Sequence, residues 1–75
     1  MSEGEFVALL KVSGWGLSII KVMSSGRYWG EVYDENKYGH AILETWTTYQ
    51  TQEQVVQELI REYERYIEAQ TEEDK

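Results

Sequence analysis

Arg27-Tyr28-Trp29-Gly30-Glu31-Val32-Tyr33 is the stretch on which the fold turns. Aromatic and β-branched residues suit a pleated, half-buried surface, so the heptapeptide predicts a strand. Side chains alternate across a strand. Arg27, Trp29, Glu31 and Tyr33 therefore share one face, and Tyr28, Gly30 and Val32 the other. A glycine in mid-strand marks a place where another element comes close, so the Gly30 face is the one expected to carry a helix.

Turn residues flank this strand on both sides, Ser24-Ser25-Gly26 before it and Asp34-Glu35-Asn36-Lys37-Tyr38-Gly39 after it. Beyond them lie two more candidate strands, Leu17 to Met23 and Ala41 to Thr47. Short connections favour antiparallel neighbours in a meander. Farther upstream, Phe6 to Val12 is apolar at nearly every position. Its alternation favours a fourth strand, joined through Ser13-Gly14-Trp15-Gly16. The competing sign is Ser2-x-x-Glu5 before the run and Gly14 after it, which would bracket a short helix.

Downstream, Val55, Val56, Leu59, Ile60, Tyr63, Tyr66 and Ile67 recur at three- and four-residue steps. That is one buried face of a helix over Gln52–Ala69. Thr51-Gln52-Glu53-Gln54 fits a capping box, and Glu53 suits the positive end of the helix dipole. The expected fold is α+β: an antiparallel sheet of three to four strands with one C-terminal helix packed on one face, against Tyr28, Val32 and Ile20. One domain is expected over 1–75, with an ordered core from about 5 to 69 and an acidic tail at 70–75.

Composition narrows function. The 75 residues include no cysteine and one histidine, His40. No zinc or iron–sulfur set can be assembled from these, and no cofactor is expected. The serines lack a nucleophile motif, and the many carboxylates fall on a solvated helix face where nothing raises a pKa for acid–base work, so an enzyme is not expected. Gly14-x-Gly16 lacks the third glycine and the lysine of a phosphate loop. The acidic start, Met1 to Glu5, is unlike a signal peptide. No apolar run approaches the ~20 residues of a membrane span. A cytoplasmic protein without a membrane partner is the expectation.

The net charge is −7. Residues 1–51 carry six acids and four bases, while 52–75 carry eight acids and three bases. An acidic surface disfavours nucleic acid, whose binding draws on Lys and Arg, and favours partners with basic surfaces. Carboxylates standing in for DNA phosphates would have to match about one charge per 1.7 Å. A 24-residue helix is about 36 Å long, and its five net charges fall several-fold short. At most a local decoy is feasible.

The aromatic load, three Trp, six Tyr and one Phe, carries more weight. A sheet with one helix has one interior. Trp29 and Tyr33, on the face away from the helix, are expected to stay partly exposed, and Trp, Tyr and Arg are the usual anchors of binding hot spots.

In outline, Arg27 to Glu35 followed by Thr47-Thr48-Tyr49-Gln50-Thr51-Gln52-Glu53-Gln54 resembles the arm-type DNA-binding domain of phage integrases. The same outline resembles antitoxins of the HicB type. Either resemblance implies a nucleic-acid-binding or regulatory module, in the integrase case with a basic sheet reading a DNA groove. The reading favoured by charge and aromatics is instead a small acidic protein-binding module. A phage-type inhibitor occupying a basic, nucleic-acid-binding surface of a host protein would be one example. The expected contacts are Trp29 and Tyr33 as apolar anchors and Glu31, Glu58 and Glu62 as charges. A structural homodimer is the remaining alternative.

Overall fold

A computed structural model describes residues 1–73, with side chains to residue 71. The elements run α1 (Glu3–Ser13), β1 (Trp15–Val22), β2 (Arg27–Asp34), β3 (His40–Glu44) and α2 (Gln52–Glu73). The three strands form one antiparallel meander in the order β1-β2-β3.

The fourth strand expected over Phe6–Val12 is a helix instead. Local chemistry decides it. Ser2 caps the first turn, its Oγ accepting from the Glu5 amide at 3.2 Å. Gly14 ends the helix in the left-handed region (φ 75°), its N–H reaching the carbonyls of Leu10 and Lys11. Phe6 and Leu10, one turn apart, are the residues that α1 buries. Val12 is 88% exposed, so the apolar run overstates how much of this segment lies inside.

Both helices lie on the same side of the sheet. A Cβ built on Gly30 would come within 2.5 Å of Val55 Cγ1 and 3.1 Å of Leu59 Cδ1. The Tyr28–Gly30–Val32 face therefore carries α2, as its glycine predicts. Phe6, Leu10, Val32, Val55, Val56, Leu59, Ile60 and Tyr63 form the buried core, with Leu17, Ile19, Tyr28 and Leu43 packed against it. Phe6 meets the Tyr63 ring edge-on at 5.5 Å between centroids.

Ile20 is a correction. Val22 pairs with Arg27, leaving four residues, Met23–Gly26, in the hairpin loop. An even-numbered loop sets residues of opposite parity across from one another. Leu17 and Ile19 therefore join Val32 and Gly30 on the helix face, and Ile20 stands opposite Trp29 on the other.

The third strand also ends early, at Glu44 rather than Thr47. Beyond it the chain still bonds to β2, through the Thr45 amide to the Gly30 carbonyl and through reciprocal Tyr28–Tyr49 bonds of 2.7 and 2.8 Å. Buried Thr45 also accepts the Gly30 N–H on its Oγ1 at 3.1 Å. Thr45→Val removes that acceptor and is expected to cost about 1–3 kcal/mol, measured by chemical denaturation. No loss would mean the amide finds another partner.

The capping box forms as read, with the Gln54 amide on Thr51 Oγ1 at 3.2 Å and Gln54 Oε1 accepting from the Thr51 amide at 3.1 Å. The helix itself runs past Ala69 to Glu73, and Ile67, read as part of the buried stripe, is 42% exposed. Of the tail expected at 70–75, residues 70–73 are thus helical, and 74–75 lie outside the described residues. No helix among the described residues is long and apolar enough to cross a membrane.

Candidate functional site

The sheet face turned away from both helices is built by the odd residues of β2 and whatever the register sets across from them. Trp29 lies opposite Ile20, Glu31 opposite Ser18, and Tyr33 opposite Gly16. Trp29, Glu31 and Tyr33 are all half-buried. Trp15 does not cover them. It points to the other side, edge-on to Tyr63 and Tyr66 at 6.4 and 5.8 Å.

Tyr33 leans across β1. A Cβ on Gly16 would overlap its ring, within 2.4 Å of Cζ. The ring thus fills the place of the missing side chain, which fixes its orientation and accounts for part of its burial. Trp29 faces Ile20 rather than a glycine.

On the other side of Glu31 the register sets Glu44 directly opposite. Like charges facing each other across strands are destabilising. No ion pair relieves this one. The ion pairs among the described residues are Arg61–Glu58 and Arg65–Glu62, at 3.3 and 2.8 Å. Arg27, the base on the same face, has its donors directed elsewhere, Nε to Thr48 Oγ1 and Nη2 to the Thr48 carbonyl, both at 2.8 Å. Two carboxylates, flanked along β2 by Trp29 and Tyr33, are left facing outward.

Glu58 and Glu62 lie on α2, away from the open face but not remote from it. Glu62 borders a recess at the margin of β3 with Ala41, Ile42, Leu43, Glu44 and Trp46. Glu58 lies farther back along the helix beside Tyr49 and Gln54. The acidic helix flank and the aromatic face thus meet around the edge of β3, and Glu44 is the residue that joins them. Sequence reading passed over Glu44 because its partner in the register was not visible. It also passed over Trp46, counted as part of a strand but in fact 85% exposed just beyond one. His40, the single histidine, stands exposed at the start of β3.

Chemically, such an arrangement can hold a cation. Aromatic rings offer an apolar surface and an attractive π face to a guanidinium or ammonium group, and the paired carboxylates supply charge-assisted acceptors. No family model, no curated protein and no solved structure matches this chain.

Proposed function

We propose that this protein is a small acidic binding module that engages a basic protein surface through its open sheet face, with Trp29 as the central apolar anchor. Surfaces of that kind include those that otherwise hold nucleic acid. The observation that carries this reading is the unrelieved Glu31–Glu44 pair, set between half-exposed rings on a face no element covers. Such a pair costs stability in the free protein, and a cationic partner would remove that cost.

The pair supplies a test in which stability and binding move in opposite directions. Glu44→Lys converts the repulsion into an attraction and is expected to stabilise the free domain by up to about 1 kcal/mol, raising its melting temperature by several degrees. The same change should abolish capture of a basic partner from cell extract, as read by mass spectrometry. Trp29→Ala should weaken that complex by at least about 2 kcal/mol, roughly thirtyfold. Retention of the same partners by wild type and both variants would overturn the reading. So would a dimer that light scattering finds at two concentrations and that buries Trp29.

A further inference from the structure

Building on the protein-partner reading, we propose that the outer edge of β3 receives an extended basic segment of that partner as a fourth strand, with a Lys or Arg side chain seated in the recess between Trp46, Glu44 and Glu62.

The two edges of the sheet are not equivalent. Helix α2 packs beneath β2 and β3, while α1 packs beneath β1. Packed helices stand about 8–10 Å apart and strands about 4.8 Å. With α2 centred near β2 and β3, α1 is carried out to the margin of β1. There Val7 and Lys11 lie beside Trp15, Gly16 and Leu17, so the β1 edge is bordered by a helix that carries the base Lys11 rather than carboxylates. At β3 the margin is bordered by Glu62 of α2 and by Trp46, and no further strand pairs there among the described residues.

That position is prepared for an extended chain. Strand β3 is paired with β2 only; apart from the His40 amide, which donates to the Lys37 carbonyl at 3.1 Å, its residues make no backbone bond outside the sheet among the described residues. The recess measures about 290 Å³. Ala41, Ile42 and Leu43 give it an apolar lining, and Glu44 and Glu62 bring carboxylates to it. A long basic side chain matches this combination, laying its methylenes on the lining and its charged head at the carboxylates. The exposed indole of Trp46 offers that head a π face.

The chemistry of the occupant follows from alternation. Residues of an added strand point by turns to the two faces of the sheet. One set lies over the α2 flank, toward Glu62, and the next over the open face, toward Glu44 and Glu31. Basic residues on either face therefore find carboxylates. Arg65 already holds Glu62, but from a position 66% exposed to solvent, where an incoming cation can share the carboxylate. A second copy of this chain is the poorer occupant. It would bring another Glu44 to the same recess, like charge against like.

The test uses three capped heptapeptides alternating arginine and valine: one unmodified, one N-methylated on its arginines, one N-methylated on its valines. All carry the same charge, but each methylated form loses the amide donors of one edge. Titrated into the labelled protein and followed by NMR and amide exchange, the unmodified peptide should bind and slow exchange at Ala41, Ile42 or Glu44, whereas the Leu43 amide already faces Val32 of β2. One of the methylated forms should bind at least about tenfold more weakly. Glu44→Gln combined with Glu62→Gln should weaken the unmodified peptide by about tenfold as well.

Equal binding of all three peptides would overturn strand addition, as would shifts confined to Trp29 and Tyr33 with β3 exchange unchanged. Both results leave the basic-partner reading standing. Absence of binding up to millimolar peptide also overturns strand addition, and the capture experiment then judges the partner reading by itself.

Discussion

Phe6→Ala is expected to cost about 3–5 kcal/mol, which for a chain of this size comes close to unfolding it. Domains retain about 0.05–0.15 kcal/mol per residue, or about 4–11 kcal/mol here. Phe6 is fully buried, at 0% exposure, and is the largest of the side chains sealed inside. Its ring lies edge-on to Tyr63, so truncation removes an aromatic contact, opens a cavity and loosens α1 from α2 together. A thermal melt should fall by at least about 12 °C at about 4–8 °C per kcal/mol. Phe6→Leu, which keeps most of the volume, should cost far less. A loss below about 1 kcal/mol for the alanine variant would mean that α1 is an appendage rather than part of the core.

The second large effect is expected at Gly30, from adding atoms rather than removing them. Any Cβ there meets Val55 Cγ1 at 2.5 Å, and the Ser18 carbonyl of the neighbouring strand, which cannot swing aside, at 3.1 Å. Overpacking a tight core costs typically about 1–3 kcal/mol, and Gly30→Ala is expected within that range. Gly30→Val, with two further methyls, should exceed it despite the favourable strand propensity of valine. Chemical denaturation of Gly30→Ala, Val55→Ala and the double variant distinguishes the cause. Val55→Ala opens the space that the new methyl needs, so the double variant should be more stable than the sum of the single losses by at least about 0.5 kcal/mol. Simple additivity would show that the cost at Gly30 arises elsewhere.

Phe6 and Gly30 differ in how plainly the chain announces them. Gly30 was legible because a glycine inside an aromatic strand gives up packing surface, which is useful where a neighbouring element must come close. The face it predicted for α2 is the face observed. The helix over Gln52–Ala69 was legible because its capping box and three-four periodicity agree. Phe6 was not. In Phe6-Val7-Ala8-Leu9-Leu10-Lys11-Val12 nearly every position is apolar, so the helical and extended periods fit equally well. The Ser2 and Gly14 caps, each a local hydrogen-bonding device, selected the helix. With α1 taking that segment, the sheet stops at three strands.

For the candidate site, strand alternation alone placed Trp29, Glu31 and Tyr33 together on the uncovered face. It could not tell that Glu58 and Glu62 approach that face from behind, nor that Glu44 bridges the two groups. Those relations depend on pairing register and on where a helix crosses a sheet. A one-residue shift of the β2–β3 register would have sent Glu44 inward and left Glu31 without a facing charge.

Periods, caps and turn residues act within a few positions of one another, and these the chain determined by itself: the helix over Gln52–Ala69, an aromatic strand with two unlike faces, and an acidic surface. Which face Ile20 joins and which carboxylates meet at the edge of β3 were decided only in three dimensions. Those outcomes rest on contacts between residues far apart in the chain, whose relative placement is fixed by loop length and core packing rather than by any local preference.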